Sequence, residues 1–137
     1  MSAPKRSSPE PSPPMAVIAD DDGATRRVLT VLLEREGYQV LVAVDGGSAL
    51  QLIRDAEPVV VFLDARMPEP DGYEVCRIVR SELPKDRQPY VTMLTASGRE
   101  DDRKQAVDAG VDEFLTKPFS PSRVSARLHA LRGAREG

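Results

Sequence analysis

The sequence predicts an α/β protein in which a doubly wound parallel sheet of five strands carries a helix after each strand. Between residues 15 and 132, short apolar runs alternate five times with segments of helical periodicity. The third run, Val59–Leu63, is apolar at every position, as in a strand buried on both faces of a parallel sheet. No segment repeats another, so right-handed crossovers are expected to place helices on both faces of one sheet.

Composition narrows the class of protein. The 137 residues are enough for one domain, and their net charge of −3 gives no electrostatic reason to bind nucleic acid. No apolar run approaches the roughly 20 residues that span a bilayer. The single cysteine excludes an internal disulfide and suits a reducing compartment. We therefore expect a cytoplasmic protein that binds neither nucleic acid directly nor a membrane.

The chain divides into three parts. Residues 1–14 include nine prolines and serines and are expected to form a disordered tail. Residues 15–132 contain all the periodic segments and form the predicted domain. Residues 133–137 are expected to be a C-terminal tail or the stub of a linker.

The first two strand–helix units are predicted from apolar runs and helix stop signals. A strand at 15–19 precedes a helix at 24–36, which Gly37 ends. A strand at 39–44 precedes a helix that Pro58 terminates. The expected apolar faces of the two helices are Ala24, Val28, Val31 and Leu32, and then Ala49, Leu52, Ile53 and Ala56.

The last three units follow the same pattern. Asp71 caps the third helix, and strands follow at 90–94 and 113–116. The fourth helix, at 99–109, is the weakest prediction, with Thr95 or Ser97 as its candidate cap. The fifth helix starts with Ser120 as cap and Pro121 at its first position. The expected buried residues of these helices are Val75, Cys76, Val79 and Leu83, then Ala106, Val107 and Ala109, and then Val124, Leu128 and Leu131, with His129 at the surface.

These five units fit the flavodoxin-like strand order 2-1-3-4-5, in which the carboxyl ends of the strands share one edge of the sheet. Asp20 and Asp21 follow the first strand, Asp64 the third, Thr95 the fourth and Lys117 the fifth. Taken singly, each is a plausible helix cap or surface residue. Five such residues at one edge predict a functional site, with Asp64 as the reactive group.

The chemistry of this set favours a magnesium-dependent phosphoryl transfer. Two carboxylates about 5 Å apart repel by roughly 3 kcal/mol at an effective dielectric constant of about 20, so a cation is needed to hold three together. Mg²⁺ prefers such oxygen ligands and shares its coordination with phosphate. Lys117 and the Thr95 hydroxyl would contact the oxygens of the transferred group.

The motifs resemble those of the receiver domain of bacterial two-component response regulators, and the resemblance covers about residues 15–131. The matching motifs are Asp20-Asp21, Asp64 with Met67-Pro68 and Asp71-Gly72, Thr95-Ala96, and Lys117-Pro118-Phe119.

The resemblance implies that a histidine kinase or a phosphotransfer protein phosphorylates Asp64 to an acyl phosphate. It also implies that Asp21, Asp64 and the backbone carbonyl of Arg66 bind Mg²⁺ directly, while Asp20 acts mainly through water. Thr95 and Lys117 would hold the phosphoryl oxygens, and the Lys117–Pro118 peptide bond would be cis. Such a protein catalyses only its own phosphorylation and autodephosphorylation and is otherwise not an enzyme.

The same resemblance implies a switch at Thr95 and Phe114. Thr95 would move toward the phosphoryl group, Phe114 would swing into the space left, and the face of the fourth helix, fifth strand and fifth helix would change. The partner that binds this face would be a downstream protein or an output domain outside this chain. A phosphorylation-dependent homodimer is an alternative that the sequence leaves open. Arg66 departs from the small or amide residues commoner at its position. We expect it to reach over the phosphoryl group and alter its lifetime.

Three alternatives compete with this interpretation. A phosphatase with a nucleophilic aspartate would resemble D-x-D, whereas Asp64-Ala65-Arg66 lacks the second aspartate. A flavin or nucleotide binder would need a loop rich in glycine and hydroxyl residues after the first strand, where this chain has Asp20-Asp21-Asp22. An unphosphorylated docking module of the same fold usually lacks part of the five-residue set, which is complete here.

Overall fold

The computed structural model describes residues 12–136 of the chain, and the side chains of residues 12–134. The predicted disorder of residues 1–11 therefore lies outside the described residues. The strands are β1 (Met15–Ala19), β2 (Gln39–Ala43), β3 (Val60–Asp64), β4 (Tyr90–Thr95) and β5 (Glu113–Thr116). The helices are α1 (Gly23–Arg35), α2 (Gly46–Ala56), α3 (Gly72–Glu82), α4 (Glu100–Ala109) and α5 (Pro121–Glu136), with a short 3₁₀ turn at Lys85–Arg87.

The sheet has the predicted parallel order β2-β1-β3-β4-β5, which confirms the fold class. Its register aligns Ala19 with Leu63 on β1 and β3, and Asp64 with Leu94 on β3 and β4. Thr95 is the last paired residue of β4. The carboxyl ends of the three inner strands therefore lie side by side.

The apolar core has two layers, one on each face of the sheet. All five residues of β3 are buried, as expected for a central strand with helices on both sides. Cys76, in the layer with α2, α3 and α4, is buried as predicted, and burial raises the pKa of its thiol to about 11. One layer includes Val17, Val61, Leu63, Met93, Ile53, Val75 and Val79, and the other includes Ile18, Phe62, Leu94, Leu29, Leu33, Val124 and Leu128.

Aspartates at the carboxyl edge start three of the helices. The side chains of Asp22, Asp45 and Asp71 accept hydrogen bonds from backbone N–H groups in the first turns of α1, α2 and α3. Such a cap stabilises a helix by about 1 kcal/mol. Since Asp22 serves as the cap of α1, the carboxylates of Asp20 and Asp21 are left for other roles.

The predicted apolar face of α1 is correct at Leu32, which is buried, and wrong at its other three positions, which are exposed. Val28 and Val31 are 40% and 47% exposed, whereas Thr25, Leu29 and Leu33 are buried. Both sets follow helical spacing, and the two faces differ by one position along the helix. The larger leucines take the side that packs on the sheet, so the valines face outward.

The weakly predicted helix α4 also departs from expectation. Val107 is 67% exposed, while Ala106 and Ala109, which lie three positions apart on one side of the helix, are buried. Neither Ser97 nor Thr95 is its cap. The cap position is Arg99, which makes no side-chain cap hydrogen bond.

The ends of the domain extend beyond the predicted boundaries. The carbonyl of Pro14 accepts a hydrogen bond from the N–H of Gln39 at 2.8 Å, so the end of the predicted tail is attached to the sheet. Residues 133–136 belong to α5, since a single glycine costs a helix only about 1 kcal/mol relative to alanine. Ser120 accepts from the N–H of Arg123 as predicted for a cap, and His129 is exposed. Across residues 12–136, the helices are too short or too polar to cross a membrane.

Candidate functional site

Three carboxylates meet where β1 and β3 end. Asp20, Asp21 and Asp64 each offer one oxygen, and the three oxygens lie within 4.8 Å of one another. Asp20 and Asp64 are buried, at 0% and 7% exposure, while Asp21 is exposed. The predicted convergence of these carboxylates is confirmed, and it follows from the adjacency of the two strands.

Asp64 is a buried carboxyl group with an unusually high pKa. Its Oδ1 accepts a hydrogen bond from the backbone N–H of Arg66 at 3.1 Å. Burial raises the pKa of Asp64 to about 6, and the charge of Asp20 adds to this. The Arg66 N–H group and the Lys117 charge act in the opposite direction. The carboxyl group is therefore still ionised for the most part at neutral pH.

Lys117 connects the two buried carboxylates. Its Nζ lies 2.8 Å from Oδ2 of Asp20 and 3.6 Å from Oδ2 of Asp64. Burial alone would lower the pKa of Lys117, but the hydrogen bond to Asp20 and the charges of Asp64, Asp20 and Asp22 raise it. Lys117 therefore remains a cation at this edge.

Thr95 lies beside the lysine on the same edge. Its side chain is buried, and its Oγ1 accepts a hydrogen bond from the backbone N–H of Ser97 at 3.1 Å. Its carbonyl accepts from the N–H of Lys117 at 2.7 Å, which holds the two strand ends together. The hydroxyl proton of Thr95 is thus free of the Ser97 bond and can be donated to another acceptor.

Phe114 and Arg66 are the remaining two residues of the predicted site. Phe114 pairs in register with Met93 and is partly buried, and the guanidinium of Arg103 lies 4.9 Å from its ring centre. The side chain of Arg66 is exposed, although its backbone contacts Asp64. That Arg66 covers a phosphoryl group stays a prediction, as do the switching roles of Thr95 and Phe114.

Sequence reasoning missed two residues near this site. Arg103 was not predicted to stack on Phe114, because nothing in the spacing of α4 indicates which strand residue it faces. The second missed residue is Gly46, the first residue of α2. In the structure its N–H donates to the carbonyl of Pro68, in the loop that follows Asp64.

The donor set fits a divalent cation. Three carboxylates and one lysine carry a net charge of about −2, and carboxylate oxygens are the ligands that Mg²⁺ prefers. The Arg66 carbonyl belongs to the loop immediately beyond Asp64 and is the predicted fourth protein donor. The Lys117–Pro118 peptide bond is cis, as expected.

Fold and site together define a flavodoxin-like α/β domain with an acidic, lysine-bridged centre at the carboxyl edge of its sheet. The chain matches the family model of the response regulator receiver domain over residues 16–129 and belongs to that family. Receiver domains are the phosphoaccepting modules of two-component systems.

Comparison with individual proteins agrees with this assignment. A relative from Galdieria sulphuraria named "probable transcriptional regulator ycf27" is 42% identical over 115 residues, which are 84% of this chain and 44% of that protein. The protein of the same name from Guillardia theta is 41% identical over the same shares. The chain thus spans less than half the length of these relatives.

Solved structures show the same fold. The receiver domain of the Francisella response regulator 1452 superposes with a TM-score of 0.77 at 30% identity, covering 89% of this chain and 98% of that one. A CheY-like receiver domain protein from Methanospirillum hungatei superposes with a TM-score of 0.80, covering 91% and 98%. At 24% identity the latter supports the fold alone.

Proposed function

We propose that this domain is a phosphoacceptor switch in which Asp64 receives a phosphoryl group from a histidine kinase or a phosphotransfer protein. The observation that carries the proposal is the position of the Asp64 carboxylate, 3.6 Å from the Lys117 ammonium and within 4.8 Å of Asp20 and Asp21. An Asp64 oxygen would form the new bond to phosphorus. The bond from phosphorus to the donor's imidazole nitrogen breaks at the same time, and the nitrogen leaves with the electron pair.

Asp20, Asp21, Asp64 and the carbonyl of Arg66 would hold Mg²⁺. When bound, this ion neutralises charge on the phosphoryl oxygens and on the attacking carboxylate. Our assignment of Asp21 and Asp64 as direct ligands is supported by the exposure of Asp21 and the position of Asp64 at the strand end. Asp20 already contacts Lys117 at 2.8 Å, which favours an indirect role through water.

Lys117 and Thr95 would stabilise the charge that the phosphoryl group brings. The ammonium of Lys117 can shift from Asp64 to a phosphoryl oxygen without leaving Asp20, because it contacts both carboxylates. The hydroxyl of Thr95 can donate its proton to a second phosphoryl oxygen. Both residues thus gain a contact only when the acceptor is phosphorylated.

Those new contacts would change the surface formed by α4, β5 and α5. Movement of Thr95 would open space into which the Phe114 ring can turn. The contact between the Arg103 guanidinium and this ring would then be broken. A downstream protein or an output domain would read the altered surface. The relatives' name, a transcriptional regulator, and their greater length favour an output domain elsewhere in a longer protein. We place this switch in the cytoplasm and assign it no turnover of other substrates.

Incubation with acetyl phosphate and Mg²⁺, followed by intact mass measurement, tests the proposal. We expect one added phosphoryl group in the wild type, and none in Asp64→Asn or in EDTA. A phosphatase would instead turn over a generic phosphate ester, and a docking module would show no adduct under any condition. Either result would overturn the proposal.

A further inference from the structure

Gly46 is a buried contact point between α2 and the loop that follows the phosphoacceptor. As the first residue of α2 it donates its N–H to the carbonyl of Pro68 at 3.1 Å. Its φ is not positive, so its backbone conformation is open to any residue. The reason for glycine at this position is therefore space rather than conformational freedom.

A side chain at Gly46 would collide with the backbone of this loop. A Cβ atom there would lie 1.7 Å from the carbonyl oxygen and 2.7 Å from the carbonyl carbon of Pro70. Backbone atoms cannot rotate aside, so the loop would have to move by more than 1 Å. The next residue, Gly47, differs sharply, because its Cβ would meet only the Asp45 side chain at an ordinary distance of 3.6 Å.

The loop is fixed at its other end by the sheet. The N–H of Ala65 donates to the carbonyl of Leu94 at 2.8 Å, and the carbonyl of Ala65 accepts from the N–H of Gly72 at 3.1 Å. The N–H of Arg66 donates to the carboxylate of Asp64. The carbonyl of Arg66 therefore lies between two fixed residues of the loop. Ala65 is hydrogen-bonded to the sheet, and Pro68 is hydrogen-bonded to Gly46.

We infer that Gly46 is a positioning residue for the magnesium site. Its missing side chain lets Pro68 and Pro70 rest directly on α2, and this contact sets the position of the Arg66 carbonyl relative to the Asp64 carboxylate. Gly46 touches neither the metal nor the phosphoryl group and acts through the loop. The inference rests on the proposed function, since the Arg66 carbonyl is there assigned as a metal ligand.

The test compares Gly46→Ala with Gly47→Ala by Mg²⁺ titration of the unphosphorylated protein, followed through backbone amide NMR shifts. Both changes replace glycine with alanine in the first turn of α2, so their effects on helix propensity match. Loss of support around a metal ligand typically weakens metal binding 10- to 100-fold. We expect about tenfold weaker Mg²⁺ binding in Gly46→Ala and less than a twofold change in Gly47→Ala.

Other outcomes separate the inference from the proposed function. If a folded Gly46→Ala binds Mg²⁺ as tightly as the wild type does, or if Mg²⁺ binding weakens equally in both variants, the inference is wrong. The proposed function is unaffected by either result. A wild type without Mg²⁺-dependent shifts overturns the metal site of the proposed function, and the inference with it.

A measurement on the wild type decides the question if Gly46→Ala does not fold. Coupling between the loop and the metal is reciprocal, so Mg²⁺ must slow hydrogen exchange of the Gly46 amide. The Ser48 amide is the control, because it lies in the same turn but donates to the Asp45 side chain at 2.7 Å. We expect severalfold slower exchange at Gly46 and little change at Ser48. Equal responses at the two amides would overturn the inference.

Discussion

The Nζ atom of Lys117 lies 2.8 Å from Oδ2 of Asp20, a carboxylate with no exposure to solvent. A buried carboxylate without a cation is costly, so this contact stabilises the domain as well as preparing it for phosphate. Lys117 therefore has two roles that can be separated by experiment.

Lys117→Ala should lower the free energy of unfolding in EDTA by about 3 kcal/mol, because it leaves the Asp20 charge buried and unpaired. Saturating Mg²⁺ should restore part of that loss, since the ion supplies the missing positive charge. Urea unfolding with and without Mg²⁺ measures both effects. Lys104→Ala, which removes an exposed lysine of α4, should change stability by less than about 0.5 kcal/mol. Equal losses in the two variants would contradict the assignment.

Asp64→Asn should stabilise the protein at neutral pH. The pKa of Asp64 is about 6 in the folded protein, against about 4 in an unfolded chain. Between these values the folded state binds more protons, so the free energy of unfolding falls as pH rises through this window and is level above it. In EDTA at pH 7 the variant should therefore be more stable by roughly 1–2 kcal/mol.

This advantage should disappear below about pH 4, where Asp64 is protonated in both states. Asp86→Asn provides the control, because Asp86 is exposed and its replacement should have little effect at any pH. If Asp64→Asn is no more stable than the wild type at pH 7, or keeps the same advantage at pH 4, then burial does not raise the pKa of Asp64.

Arg66→Asn should shorten the lifetime of the phosphorylated state about threefold. The Arg66 side chain is exposed two residues beyond the acceptor, where a guanidinium can cover the phosphoryl oxygens and hinder attack by water. The decay of the phosphorylated mass after removal of acetyl phosphate measures this rate. Arg77→Asn, an exposed position on α3, should leave the decay unchanged. If Arg66→Asn decays at the wild-type rate, the role predicted for this side chain is wrong.

Arg103→Ala should speed phosphorylation by acetyl phosphate about two- to fourfold. The guanidinium 4.9 Å from the Phe114 ring centre favours the ring position seen here, by about 0.5–1 kcal/mol at an exposed site. Its removal shifts the population toward the form with the ring turned inward, which binds the phosphoryl group better. Initial rates of phosphorylation check this, with Lys104→Ala as the neighbouring control. A slower or unchanged rate in Arg103→Ala would show that Arg103 does not hold the Phe114 ring in this position.

The strand order and the meeting of Asp20, Asp21 and Asp64 could be predicted because both depend on periodicity and on the common edge of parallel strands. The face of α1 could not, since Val28 and Leu29 both fit a helical stripe, and only packing against the sheet decides between them. The role of Gly46 was also beyond prediction. It depends on a loop more than twenty residues later in the chain, and a glycine before a helix looks like an ordinary turn.

Site-resolved trapping of the phosphorylated state tests the central claim most directly. After incubation with acetyl phosphate and Mg²⁺, borohydride reduces an aspartyl phosphate to homoserine, which peptide mapping then locates. We predict homoserine at position 64 alone, absent in EDTA and in Asp64→Asn. Homoserine at another aspartate, or at none, would contradict the assignment of Asp64 as the phosphoacceptor.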